Sequence, residues 1–303
     1  MDRLPAETFP RVLRRVWRLS DPRSRCARRS DPLDRPTVQQ RFQTIRGDYW
    51  VCAETGQLSR DRAEGPAEDL SGLYDGWWAD EIAAGPPPRS DIEGRKRFLE
   101  RFEGYRRSGR LFEVGSGLGK MLRAAVEAGW RAEGNELSPL AAGKARAFSG
   151  AEVRVGPIES VELETGAYDL VLLNNVFEHL DAPRAALIAL SRALRPGGAL
   201  YLQTLDAQSL SLLLNPRGWT HFIEGHLHVP TLVSLRHYLD AAGLRPVEVR
   251  THGFSLKTGI KRERTPWLKK RVNKLVATLA ARLDLGHRVQ VIAERAAPDA
   301  GRT

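Results

Sequence analysis

An α/β fold built on a mostly parallel sheet is what this 303-residue sequence predicts, on three observations. From Asp91 onward, short apolar runs alternate with segments of helical periodicity, the pattern of strand-helix-strand units with right-handed crossovers. The densest run, Leu170-Val171-Leu172-Leu173, lacks the polar alternation of a half-exposed strand and suits one buried on both faces. Lastly, Leu111-Phe112-Glu113-Val114 runs straight into Gly115-Ser116-Gly117-Leu118-Gly119 and then a helical pattern. Glycines in such a turn let the backbone bend sharply and approach a ligand, while the helix N-terminus presents free N–H groups to it.

Taken in order, a helix through Phe98, Leu99 and Phe102 leads into a strand at 110–114. The helix at 119–128 gathers Met121, Leu122, Ala125 and Val126 on one face and stops at Gly129. Strands at 130–136 and 152–155 follow, then the long run from Tyr168 to Val176. A helix from Pro183 ends at Leu194, before Arg195-Pro196-Gly197-Gly198, where proline blocks continuation and glycine permits a left-handed turn. A strand at Ala199–Thr204 comes next. Thr231 caps a helix carrying Leu232, Leu235, Tyr238 and Leu239 that ends at Gly243. Strands at 245–250 and 288–293 then pair as an antiparallel couple. Between them Thr265-Pro266-Trp267 opens a helix with Leu268, Val272, Leu275, Val276, Leu279 and Leu283 on an apolar face that packs on the domain, and Lys269, Lys270, Arg271 and Lys274 on the other.

Upstream, Tyr49-Trp50-Val51-Cys52 reads as a short strand, and Tyr74, Trp77 and Trp78 as cover for a small core. Gly85-Pro86-Pro87-Pro88 forms a stiff linker. The expected organisation is therefore a basic tail and small appendage over 1–88, followed by the α/β domain over 89–303 with a basic helical insertion at about 257–285.

The formal charge of +10 is concentrated at two places. Residues 1–30 hold nine arginines against three acids, and residues 257–274 hold eight Lys or Arg against Glu263. The remainder is slightly acidic, which argues against a nucleic-acid surface on the domain and leaves the basic ends for a peripheral membrane or acidic partner. Cys26 and Cys52 are too few for a disulfide framework or a four-cysteine zinc site, and a reducing, cytoplasmic setting is expected. No run is apolar enough to span a bilayer.

Two classes of nucleotide-binding enzyme begin with such a turn. A dinucleotide dehydrogenase carries Gly-x-Gly-x-x-Gly, whereas this chain has Gly-x-Gly-x-Gly followed by Lys120. Glu113, just before the turn, would repel a pyrophosphate and attract a cation. Glu136, 19 residues after Gly117 at the end of the second strand, can accept both hydroxyls of a ribose.

With these residues, the Arg-Pro-Gly-Gly turn and Tyr168-Asp169-Leu170-Val171-Leu172-Leu173-Asn174-Asn175-Val176-Phe177-Glu178-His179-Leu180 assembled, residues 91–295 resemble the class I S-adenosylmethionine-dependent methyltransferases. The likeness is to the branch with a Glu-His-Leu signature after strand four, which includes ubiquinone-biosynthesis O-methyltransferases. It implies a Rossmann-like seven-stranded sheet whose last strand is antiparallel, S-adenosyl-L-methionine as cofactor and a small-molecule acceptor. Carried over, Glu113, Gly115, Gly117 and Gly119 would hold the methionine portion, Glu136 the ribose, and Leu137 would flank the adenine. Glu159 would sit near the adenine amino group, and Asn174 would line the cofactor. The upstream region resembles a zinc ribbon in which Cys26-Ala27-Arg28-Arg29 and Cys52-Ala53-Glu54-Thr55-Gly56 each lack the second thiolate, so no metal is expected there.

Methyl transfer to a hydroxyl benefits from a general base, and histidine titrates in the useful range. His179 stands just past strand four, where α/β sheets bind ligands. His226 is the second candidate, within Gly218 to His228, a segment placed to cover an acceptor; Trp219 and Phe222 there imply either an aromatic acceptor or a packed lid. The histidine spacing matches no strong metal motif. A catalytically silent interaction module, a nucleic-acid methyltransferase and a nicotinamide-dependent dehydrogenase are the alternatives.

Overall fold

The computed structural model describes residues 38–44, 47–52, 54–60, 71–254 and 275–296, which fall into two units. The basic tail with Cys26, and residues 255–274 of the basic insertion, lie outside the described residues.

In the larger unit, helices α1 (Ser71–Ala83) and α2 (Arg89–Leu99) precede the sheet. Then β1 (Arg110–Val114), α3 (Lys120–Glu127), β2 (Arg131–Glu136), α4 (Pro139–Ser149), β3 (Glu152–Val155), β4 (Tyr168–Asn174), α5 (Pro183–Ala193) and β5 (Leu194–Leu205) alternate as expected. Helix α6 (Leu232–Ala241) and strands β6 (Leu244–His252) and β7 (Arg288–Arg295) complete it. The strand order is β6-β7-β5-β4-β1-β2-β3, mostly parallel with the last strands antiparallel, which is the fold class read from the sequence. In β4, Leu170 to Leu173 are buried on both faces, each side chain contributing about 1.5–3 kcal/mol of apolar transfer.

One boundary differs from its prediction. Arg195-Pro196-Gly197-Gly198 is a bulge inside β5 and does not precede the strand: Tyr168 pairs with Leu194, and Leu170 next pairs with Ala199. Arg195 Nε donates to Asp169 Oδ1 at 2.6 Å and thereby holds the looped-out residues against β4. Asp169 also accepts from the backbone N–H of Arg107 (2.8 Å) and Gly109 (2.6 Å), which tie the start of β1 to β4.

Helix α1 also departs from the reading that grouped it with the appendage. It belongs to the larger unit, where it packs on α4, and Ser138, the N-cap of α4, donates its hydroxyl to Asp75.

The smaller unit holds an antiparallel sheet in the order Val38–Thr44, Gly47–Cys52, Leu58–Arg60, His228–Val229. Its core contains Tyr49, Leu58, Trp219, Phe222 and Val229, with the Tyr49 and Phe222 ring centroids 4.9 Å apart. Trp219 and Phe222 are therefore core residues here, and Trp219 Nε1 donates to Ser211 Oγ at 3.0 Å. Cys52 is buried and free. Residues 275–282 are helical; on the described part of the predicted apolar face Leu275, Leu279 and Leu283 are exposed and Val276 is half-buried. Among the described residues no helix is long and apolar enough to cross a membrane.

Candidate active site

The carboxyl ends of β1, β2 and β4, the turn after β3 and one face of α1 enclose a cavity of about 610 Å³ within the larger unit. Of the expected site residues, Glu113, Gly115, Gly117, Glu136, Leu137, Glu159, Asn174 and His179 all line it. Gly119 does not; at φ 77° it caps α3, and a Cβ there would lie 2.9 Å from the Ala145 backbone. Its glycine is needed for close packing of α3 on α4.

Glu113, the next-to-last residue of β1, stands between Phe112 and Val114, where the strand carries it to the cavity edge. Glu113 is 5% exposed, and among the described residues its Oε2 has no hydrogen-bond partner. Burial pushes its carboxyl up to about 8; the Arg95 charge acts the other way and nearby Glu136 adds to the rise. A buried carboxylate oxygen without a donor is costly, and a ligand cation would relieve it. Glu136 is already half committed: Gly117 N–H donates to its Oε2 at 2.8 Å and Ser138 N–H to its Oε1 at 3.1 Å. The remaining lone pairs stay available to ligand hydroxyls. At Gly117, φ is 52° and a Cβ would lie 2.7 Å from the Trp78 ring, so the indole rests directly on the glycine turn.

At the other side of the cavity, Asn174 Oδ1 accepts from Gln203 Nε2 at 2.8 Å, and Asn175 adopts the left-handed φ of 53°. Glu178 is buried and accepts from Thr204 Oγ1 at 2.7 Å, which anchors the short 3₁₀ turn Phe177–His179 that carries His179. His179 Nδ1 lies 2.9 Å from Tyr74 Oη.

The cavity wall includes residues that sequence reasoning missed. Tyr74, Trp77, Trp78 and Glu81 come from one face of α1, and Glu81 pairs with Lys120 at the start of α3. Arg95 on α2 and Asp181 after the 3₁₀ turn complete the charged lining. Their signal was weak: Arg95 stands in a run with Lys96 and Arg97, and aromatic spacing on α1 fits a core stripe equally well.

His226 lies in the smaller unit. There its Nδ1–H donates to the His221 carbonyl at 2.7 Å, and its own carbonyl accepts from Tyr49 Oη at 3.1 Å. The neighbouring His228 places Nδ1 3.2 Å from Ser59 Oγ, so the two histidines serve different partners.

A Rossmann-like seven-stranded sheet with a glycine turn flanked by Glu113 and Glu136 at its carboxyl edge defines a class I S-adenosylmethionine-dependent methyltransferase. The chain belongs to that class: a family model described as a methyltransferase domain matches residues 90–249. It is 27% identical over 215 residues to the ubiquinone biosynthesis O-methyltransferase of Bordetella avium, covering 65% of this chain and 88% of that one. Over 94 residues it is 38% identical to the malonyl-acyl carrier protein O-methyltransferase of Hahella chejuensis, covering 30% of this chain and 33% of that one. Among solved structures, an S-adenosylmethionine-dependent methyltransferase from Archaeoglobus fulgidus shares the fold with a TM-score of 0.50, at 18% identity over 67% of this chain and 94% of that one. A chain in the complex of the Haloferax volcanii Trm112 methyltransferase activator shares it with a TM-score of 0.52, at 17% identity over 77% and 100%.

Proposed function

We propose that this methyltransferase acts on a hydroxyl oxygen of a small-molecule acceptor, with His179 as the base or orienting group. The observation that carries this reading is the position of His179 in the wall of the same cavity as the glycine turn and Glu113. The names of the Bordetella and Hahella relatives, both O-methyltransferases, support oxygen as the receiving atom.

The cavity fits S-adenosyl-L-methionine on its own chemistry. Glu113, with its unpartnered Oε2, would hold the amino group, and Arg95 the carboxylate. Glu136 would accept the ribose hydroxyls, Leu137 would flank the adenine, Glu159 would face the adenine amino group, and Asn174 would line the site. A Cβ at Gly115 would meet Val176 and one at Gly117 would meet Trp78, so the missing side chains let Val176 and Trp78 close on the turn. When bound, the cofactor supplies a methyl carbon on a cationic sulfonium, made ready for in-line displacement. The chain's part is to align the acceptor, keep water out and take one proton. Trp77, Trp78 and Tyr74 form the apolar share of that enclosure.

Calorimetric titration with S-adenosylhomocysteine, followed by a labelled-methyl screen of small phenols, alcohols, carboxylic acids and amines, tests the reading. Saturable binding and transfer to a hydroxyl, lost in His179→Ala with cofactor affinity retained, is the expected result. Transfer to amines alone, or an unimpaired His179→Ala, would refute it.

A further inference from the structure

At the carboxyl end of β4 two consecutive side chains reach the same partner, which the alternation of an extended strand does not allow. Asn174, the last residue of β4, pairs in register with Gln203 of β5, and the next backbone N–H, that of Asn175, still donates to the Gln203 carbonyl at 2.8 Å. Asn175 then takes the left-handed φ of 53°, a conformation asparagine tolerates better than most side chains, and the alternation is broken. The two side-chain oxygens converge. Gln203 Nε2 donates to Asn174 Oδ1 at 2.8 Å and to Asn175 Oδ1 at 3.2 Å, and Asn175 Nδ2 also donates to Asn174 Oδ1, at 3.3 Å. Gln203 is buried, and its own oxygen accepts from Gln290 Nε2 of β7 at 2.7 Å and from Tyr201 Oη at 3.3 Å. Every hydrogen-bonding position of this amide is thus filled. We propose that Gln203 is a positioning residue: it holds both asparagines by their oxygens, so that their NH2 groups face the cavity and receive an uncharged oxygen of the methyl acceptor, such as a carbonyl.

The field in the cavity favours the same orientation as the chain of donors. Glu81, Glu113, Glu136, Glu159 and Asp181 face the space that Asn174 and Asn175 line, and an amide dipole there turns its NH2 end toward the carboxylates. Gln290, Gln203 and the asparagines therefore all donate in one direction. Both lone pairs of Asn174 Oδ1 are taken within the protein, and its NH2 is the end left for a ligand. Such donors reject a cation and accept an oxygen. The cofactor's charged groups have their counterparts in Glu113, Glu136 and Arg95, on β1, β2 and α2, whereas the asparagines adjoin the turn Phe177–His179 and so stand on the acceptor side. A carboxylate on that acceptor would meet five acids with only Arg95 to oppose them beyond the Glu81–Lys120 pair; a neutral oxygen takes the N–H donors without that repulsion. Hydroxy-carbonyl compounds are the acceptor class this selects, since a site built to bond an oxygen discriminates against an analogue without it.

The choice of acceptor rests on the hydroxyl reading above, whereas the amide orientation is measurable with no acceptor at all. The chain has five asparagines, so side-chain amide spectra of the full protein labelled at asparagine are simple, and Asn174→Ser assigns the signal. The Asn174 NH2 should exchange freely with water in the natural protein and at least about tenfold more slowly in Gln203→Glu, whose ionised carboxylate only accepts and turns both asparagines round. Slow exchange in the natural protein, or an unchanged rate in Gln203→Glu, would overturn the proposal. Should Gln203→Glu unfold, Gln290→Glu, half-buried at the far end of the chain of donors, forces the same reversal through Gln203 and is read in the same way. Hydroxyacetophenones and ethylphenols, which differ by a carbonyl against a methylene, then enter the labelled-methyl screen as matched pairs. The natural protein should favour the ketones by about tenfold or more in kcat/KM, and Gln203→Glu should lose that preference through KM, with kcat and S-adenosylhomocysteine affinity held within about twofold. Equal use of both sets by the natural protein, or a preference retained in Gln203→Glu, would overturn it as well. If no hydroxyl is methylated, the hydroxyl reading and the acceptor class fall together, and the Asn174 exchange rate still decides the positioning role.

Discussion

Replacing Glu113 by Gln separates the folding cost of the donor site from its use. The carboxyl titrates near 8 in the folded chain against 4.5 for an ordinary glutamate, with burial as the main cause. Because the folded-state value is raised, the residue costs nothing below about pH 4.5, and the cost grows as pH rises toward 8. Linkage over that range gives a penalty of roughly 1 kcal/mol at pH 5 and roughly 3 kcal/mol at pH 7. Glutamine fills the same volume and does not ionise, so the stability of Glu113→Gln relative to the natural protein should rise by roughly 2 kcal/mol between pH 5 and pH 7. Urea denaturation of both proteins without ligand at the two pH values measures this difference. Ligand binding should show the converse. A cation that binds beside ionised Glu113 displaces its proton, so S-adenosylmethionine affinity increases with pH up to about 8, and titrations in buffers of different ionisation enthalpy detect nearly one proton released at pH 7. Glu113→Gln should release none and bind about 10- to 100-fold more weakly, the loss of one charge-assisted hydrogen bond. A stability difference independent of pH, together with unchanged proton release, would refute the reasoning.

Three other substitutions test the fold. Gly119→Ala should destabilise by about 2–4 kcal/mol in chemical denaturation, because a Cβ there meets the Ala145 backbone at 2.9 Å on a left-handed residue; a cost below about 0.5 kcal/mol would show that α3 and α4 are not so closely packed. His287 is held down to about 4 by burial and then by the charges of His221, Arg288 and His252, so its contribution is intact above pH 6.5 and falls away by roughly 3 kcal/mol as pH drops toward 4. Asp206, pushed up to about 7 by burial, runs in the opposite direction over the same window, so the measurement is the difference between His287→Gln and the natural protein, which should grow in favour of the variant as pH falls. Asp169→Asn leaves Arg195 without its carboxylate and weakens two backbone anchors, and should cost about 3 kcal/mol in urea denaturation.

Much of this was legible in the chain because the relevant forces are local. Leu170 to Leu173 announce a strand buried on both faces, and Glu113 and Glu136 stand at strand ends whose positions follow from apolar runs and glycines on either side. What could not be read depends on contacts between distant segments. The bulge at Arg195–Gly198 exists because Arg195 reaches Asp169, 26 residues earlier, and nothing in Arg-Pro-Gly-Gly itself distinguishes a bulge from a helix-to-strand turn. His226 and His228 look equivalent at their spacing, yet one donates to the His221 carbonyl and the other meets Ser59. On α1, the acids Asp75 and Glu81 among Tyr74, Trp77 and Trp78 were the usable signal. A stripe buried in a core has no use for carboxylates, whereas a helix laid against polar loops does.

The charge of the cavity wall explains why a glycine turn shared by two nucleotide-binding classes serves only one of them here. Glu81, Glu113, Glu136, Glu159 and Asp181 face it, against Arg95 and Lys120, and Lys120 is already paired with Glu81. A pyrophosphate laid on this turn would bring two negative charges beside Glu113 and Glu136 in a partly dehydrated space, where like charges repel far more strongly than in water. Protonating Glu113 would relieve part of that repulsion but would not supply a cation. A sulfonium ligand that also carries an ammonium would reverse each of these terms: it would satisfy the orphaned Oε2, draw the Glu113 proton off and leave Arg95 for the single carboxylate. The glycines admit a nucleotide, and the carboxylates choose a cationic one.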